Sequence, residues 1–130
     1  MIGLDTNVLI RYIVLDDPFQ TPKAERLIDS LTAEKPGFIS LIVVAEVAWV
    51  LKRSYHYQNA DIASVLQMLL GSQELVLEQT ELVADALRHF SAGDADFADF
   101  LIERSGRAAE CEHTVTFDKR AVSAGMRLLA

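Results

Sequence analysis

Strand-length apolar runs alternate with helix-length amphipathic stretches along the whole chain, and that alternation limits what it can fold into. Met1–Leu4, Phe38–Ser40, Glu74–Leu77, His113–Phe117 and Met126–Leu129 read as strands. Between them, apolar residues recur at the spacing of a helix face. Ala24, Leu27, Ile28 and Leu31 do so between Pro22 and about Ala33, and Ile62, Val65, Leu66 and Leu69 between Ala60 and Leu70. Leu82, Val83, Ala86, Leu87 and Phe90 repeat the pattern between Glu81 and Phe90. Strands separated by helices point to parallel pairing, because a parallel pair needs a long crossover. The expectation is an α/β fold with a central parallel sheet of four to five strands flanked by helices on both faces, in a single domain over residues 1–130.

Local signals place the boundaries. Thr21 reads as an N-cap with Pro22 at the first helical position, and Asn59 as the cap of the Ala60–Leu70 helix. Ser91–Asp94 reads as a turn before a helix from about Ala95 to Ala109, and Lys119–Ala124 as a short helical turn. Leu41–Leu51 is too long for a strand and reads as a mostly buried helix with a basic end at Lys52 and Arg53.

Composition narrows the functional class. Glu46 interrupts the longest apolar run, which is too short to span a membrane. Met1–Asp5 lacks a basic leader segment, so no signal peptide is expected. A single cysteine, Cys111, permits no internal disulfide; it suits a reducing cytoplasm and is expected to pack. His56, His89 and His113 are scattered and lack metal-site spacing. A net charge of −7 argues against a non-specific DNA coater but not against a nucleic-acid enzyme whose acids surround metal ions.

The acids carry the chemistry. Asp5 stands where a strand ends and the Asn7–Val14 helix begins, at the carboxyl edge where open α/β sheets place ligands. A plain N-cap accounts for it equally well. Asp118 repeats the arrangement. Glu46 is the one charge in Leu41–Leu51; if buried, it needs a cation, a metal or a proton, and otherwise it reaches solvent or an arginine. Asp96, Asp99 and Glu103 share one helix face, opposite Phe97, Phe100 and Leu101. A solvated acidic face explains that pattern, yet the carboxylates repel at this spacing and a divalent cation would turn repulsion into attraction. Oxygen donors of this kind suit Mg²⁺ or Mn²⁺ and phosphodiester hydrolysis.

Leu4-Asp5-Thr6-Asn7-Val8-Leu9-Ile10, Val44-Ala45-Glu46-Val47, Phe97-Ala98-Asp99-Phe100-Leu101-Ile102 and Thr116-Phe117-Asp118 occur in that order. Together they resemble the PIN-domain nucleases and, among them, the VapC-type toxins of bacterial toxin–antitoxin pairs. The resemblance implies a quartet of Asp5, Glu46, Asp99 and Asp118 binding Mg²⁺ or Mn²⁺, with Asp96 a further acidic position. It casts Asn7 and Thr116 as polar braces. It implies an endoribonuclease acting on single-stranded or loop regions of RNA, tRNA or another structured RNA among them. It further implies a homodimer and inhibition by a VapB-like antitoxin, with DNA reached only through the antitoxin. Phe100 departs mildly from the family, where the residue after the acid is often smaller. Arg11 and Lys119 follow closely on Asp5 and Asp118 and are candidate RNA contacts. Trp49, Tyr55 and Tyr57 offer rings for bases, although core or dimer-face roles account for them more simply. The rival readings are a non-catalytic PIN-like module in a DNA-bound regulatory complex, a receiver-like domain, and a dehalogenase-like phosphatase. The phosphatase would need an aspartate where Asn7 stands.

Overall fold

The first strand, β1 (Ile2–Gly3), stops early because Asp5 begins a helix at once. Its backbone is extended and its Oδ1 accepts the backbone N–H of Thr6 at 2.8 Å, so α1 runs Thr6–Val14. Leu15, in the left-handed region, ends α1 by returning its N–H to the Arg11 carbonyl at 3.2 Å. The computed structural model describes residues 1–90 and 94–129.

Helix α2 (Gln20–Asp29) starts ahead of Pro22, and Thr21 lies inside it instead of capping it. Asp17 does the capping: its Oδ1 accepts from the N–H groups of Phe19 (2.9 Å) and Gln20 (2.7 Å). The freed Thr21 hydroxyl donates to the Arg11 carbonyl at 3.1 Å and ties α2 to α1. Strand β2 (Gly37–Ile39) leads to Ser40, whose Oγ accepts the Val43 N–H at 3.2 Å and caps α3 (Leu41–Tyr55). Helix α4 (Asn59–Gly71) includes Asn59, and Gln58 occupies the cap position. There follow β3 (Leu75–Leu77), α5 (Thr80–Phe90), α6 (Phe97–Ala108), β4 (Val115–Thr116), a 3-10 turn (Lys119–Ala124) and β5 (Arg127–Leu128). Ser91, Ala92 and Gly93 of the expected turn lie outside the described residues.

Strands β1, β2 and β3 pair in parallel in that order, with Ile2 opposite Gly37 and Gly37 opposite Leu75. Gly37 admits its neighbours: an added Cβ would come within 2.8 Å of Leu4 Cδ1 and 2.9 Å of Leu31 Cδ1. Strands β4 and β5 pair in parallel with each other, Val115 opposite Arg127. Among the described residues the expected sheet of four to five strands is therefore a sheet of three and a separate pair. The physical cause is length. Asp5 and Asp118 each turn their carboxylate onto the following backbone, leaving β1 and β4 only two residues apiece. Such strands offer little edge to hydrogen-bond on both sides. β1 is also an exposed edge where a buried strand was expected, with Ile2 49% accessible.

The core gathers Leu9, Ile39, Val44, Leu51, Leu66 and Phe90 with Phe97 and Phe100. Phe90 meets Phe97 and Phe100 edge-on, at centroid separations of 5.4 and 6.1 Å. Phe100 is thus a buried packing residue, and each such pair adds about 0.5–1.5 kcal/mol beyond its area. Helix α3 buries only one face, through Val44, Val47, Ala48 and Leu51. Ile42, Glu46, Trp49 and Arg53 lie on the open face, which corrects the expectation of a helix covered nearly all round. No helix among the described residues is long and apolar enough to cross a membrane.

Candidate active site

Thr6 joins two of the expected acids. It is the first residue of α1 and is buried; its backbone N–H is held by Asp5, while its hydroxyl donates to Glu46 Oε1 at 2.9 Å. Packing of α1 against α3 brings the residue after one strand-end acid to the helix that carries the other. Glu46 is therefore an exposed carboxylate with one oxygen fixed by a hydroxyl, and its negative charge remains in contact with water.

The remaining acids surround the start of α6. Asp99 Oδ2 accepts the backbone N–H of Asp96 at 3.0 Å, the backward reach of an acid in the first helical turn. Asp96 Oδ1 receives Lys52 Nζ at 2.7 Å, and the same ammonium reaches Asn59 Oδ1 at 3.2 Å. Asp118 Oδ1 accepts the Arg120 N–H at 2.9 Å, and the Arg120 guanidinium stands 3.5 Å from Oδ2. Thr116 braces this end, its Oγ1 accepting the N–H of Asp118 at 3.0 Å.

These surroundings set the charges in opposite directions. Burial first, and then the like charges of Asp96 and Asp118, push the Asp99 carboxyl above its ordinary value, against the Asp96 N–H and the Arg120 charge. Asp118 moves the other way, held below the ordinary range by the Arg120 backbone N–H and then by the Arg120 side chain. A raised carboxyl pKa favours the folded state below the ordinary value of 3.8, and that contribution is lost as pH rises through the folded pKa. Asn at this position keeps an acceptor for the Asp96 N–H but never ionises. The Asp99→Asn protein should therefore melt higher than the parent at pH 7 in EDTA, with the gain fading toward pH 3. Equal melting temperatures across that range would show that ionising Asp99 costs the fold nothing.

The other expected positions divide. Asn7 is exposed and lines a groove between α1 and α2 with Val8, Arg11 and Leu27. Arg11 is engaged through two of its nitrogens: Nε donates to Gln20 Oε1 (2.7 Å), and Nη1 to the Tyr55 hydroxyl (3.0 Å) and to Asp16 (3.3 Å). Lys119 is exposed beside Asp118. Glu103, expected on a solvated acidic face, is instead buried with Arg104 and Arg107 as partners. Cys111 is exposed where packing was expected, and the three histidines lie on the surface. Sequence reasoning passed over Thr6, and it read Lys52 as the basic end of its helix and a residue that could steer RNA, not as the partner of Asp96. The signal for the first was a hydroxyl residue directly after a capping aspartate; Lys52 carried none beyond its charge.

The acids thus stand as two groups, Asp5 with Glu46 through Thr6, and Asp96 with Asp99 beside Asp118. Among the described residues, no three acidic, histidine or cysteine side chains converge closely enough to cage an ion. The donor chemistry nevertheless fits a hard divalent cation, since every candidate ligand is a carboxylate oxygen.

Residues 2–125 match the PIN domain family, and the chain belongs to it. It is similar to the VapC ribonuclease of Aquifex aeolicus (strain VF5), with 21% identity over 125 residues, 95% of this chain and 92% of that protein.

Proposed function

We propose that this chain is a single PIN domain acting as a metal-dependent endoribonuclease, the toxin of a VapBC-type toxin–antitoxin pair. The observation that carries the reading is the arrangement of acids in a chain of this family: Asp5 joined to Glu46 through Thr6, and Asp99 beside Asp96 and Asp118. Asp5, Glu46, Asp99 and Asp118 would hold Mg²⁺ or Mn²⁺. Such an ion, when bound, activates water and stabilises the leaving oxygen of an in-line attack on a phosphodiester.

The chain's own groups prepare the acids for that task. The Thr6 hydroxyl fixes one oxygen of Glu46 and leaves the other free. The Asp96 N–H does the same for Asp99. Lys52 takes up the Asp96 charge, so we assign Asp96 to positioning before ligation. Lys119, exposed next to Asp118, would meet a phosphate there, whereas Arg11 holds α1 to α2 and Tyr55. Homodimerisation, a cytoplasmic location, an RNA substrate and inhibition by a VapB-like antitoxin that alone contacts DNA complete the reading. The experiment is incubation of purified, antitoxin-free protein with a pool of structured and single-stranded RNA in Mg²⁺, Mn²⁺ or EDTA. Cleavage with either metal and none in EDTA is expected. A folded, metal-loaded protein that leaves the pool intact would transfer the chain to the non-catalytic binding modules.

A further inference from the structure

We propose that Trp49 is a stacking platform for one unpaired nucleobase of the RNA strand, and thereby sets base preference beside the cut. The inference rests on the nuclease reading and adds a residue to it. Trp49 is the only tryptophan in the chain. It stands three residues after Glu46 on the open face of α3, about 4.5 Å along the helix axis. More than half of its surface, 54%, meets water, which the packing of α3 does not require. The buried face is already filled by Val44, Val47, Ala48 and Leu51.

What surrounds the ring suits a nucleotide. The Arg53 guanidinium carbon lies 5.8 Å from the ring centroid, so a cation already rests on the π-system. Trp49 shares a small cleft with Lys52, Arg53, Asp96 and Phe97, which leads from the indole to the start of α6. A flat aromatic surface one helical turn from Glu46, with the exposed Arg53 beside it, offers a base its stacking partner and an adjoining phosphate a counter-charge. A protein partner lying across Ile42 and Trp49 would instead have to bury Glu46 between them, an expensive placement for a carboxylate held by a single hydroxyl.

The test uses the full-length protein in metal-free buffer at low ionic strength, titrated with hexaadenylate and hexauridylate RNA. Excited to the red of tyrosine absorption, the fluorescence comes from Trp49 alone. A saturating quench is expected, at lower concentration for the adenylate strand. By anisotropy of labelled oligonucleotide, Trp49→Ala should bind about tenfold more weakly, and Trp49→Phe should recover most of that loss. An unmoved emission at saturation, no binding of either strand, or equal affinity in Trp49→Ala would overturn the platform. So would a Trp49→Ala protein whose sedimentation changes while its RNA affinity does not, which would assign the ring to a protein contact. Cleavage in Mg²⁺ is scored separately. A protein that cuts RNA without a quench loses the platform alone, and one that quenches without cutting loses the nuclease reading and, with it, any role for Trp49 in base preference at a cut.

Discussion

The Asp5→Asn protein should melt with the parent yet cut RNA at least about a hundredfold more slowly. Asparagine caps helices as well as aspartate does, so the bond to the Thr6 N–H survives and α1 starts where it did. What disappears is one negative charge at the strand end, where no cation of the protein faces it among the ion pairs of the described residues. If that charge helps hold a divalent ion, several kcal/mol of transition-state stabilisation weaken with it, and each 1.4 kcal/mol is about a factor of ten in rate. Thr6→Val should fall between parent and Asp5→Asn, with a loss of about 10- to 100-fold, because it removes only the hydroxyl that aims Glu46. Melting curves and initial rates on one RNA, taken for all three proteins, check the ordering. Undiminished cleavage by Asp5→Asn would reduce Asp5 to a helix cap.

Most elements were legible because their signals are local. The helix starting at Asp5 follows from a short side chain that accepts a backbone N–H, and the strands at Phe38 and Leu75 from apolar runs between breakers, whereas Ser40, expected in a strand, caps α3. What escaped was set at longer range. Thr21 has the composition of a cap, but Asp17 reaches the free N–H groups first, so the helix starts earlier. The strand count failed for a related reason. An aspartate at a strand end signals both an edge site and a cap, and the cap shortens the strand until it pairs on one side only.

For the site, the acids were visible as types and positions, but their partners were not. Glu46 looked buried because its neighbours in sequence are apolar; Ile42 and Trp49 share its open face, and no periodicity in so uniform a run marks which side faces water. Lys52 and Asp96 are 44 residues apart, and their contact follows from the packing of α3 against α6. Glu103 was misread for the same reason: a face of acids looks solvated until an arginine from the same helix turns inward beside it.

That arginine carries the largest expected effect on stability. Arg104 is buried; its Nε donates to Asp85 Oδ2 at 2.9 Å, and its Nη1 donates to Glu103 and, at 3.2 Å, to the Ala124 carbonyl. One guanidinium therefore ties α6 to α5 and to the last turn before β5. Gly125 closes over the pair: its φ is +105°, and a Cβ there would come within 3.2 Å of Glu103 Cδ. Arg104→Ala leaves Glu103 buried with only the largely exposed Arg107, bonded at 2.9 Å, and strips the Ala124 carbonyl of its donor. Removing one member of a buried ion pair costs about 3–5 kcal/mol, enough to lower the melting temperature of a chain this size by about 10 °C or more. Arg107→Ala is the control, since it touches the same Glu103 from solvent and should cost below about 1 kcal/mol. Urea midpoints for the two variants separate the readings. Equal losses would mean that Glu103 is solvated after all and that α6 is held by its apolar face alone. A large loss confined to Arg104→Ala would show that one buried guanidinium, and not the apolar face alone, ties α6 to α5 and to the turn before β5.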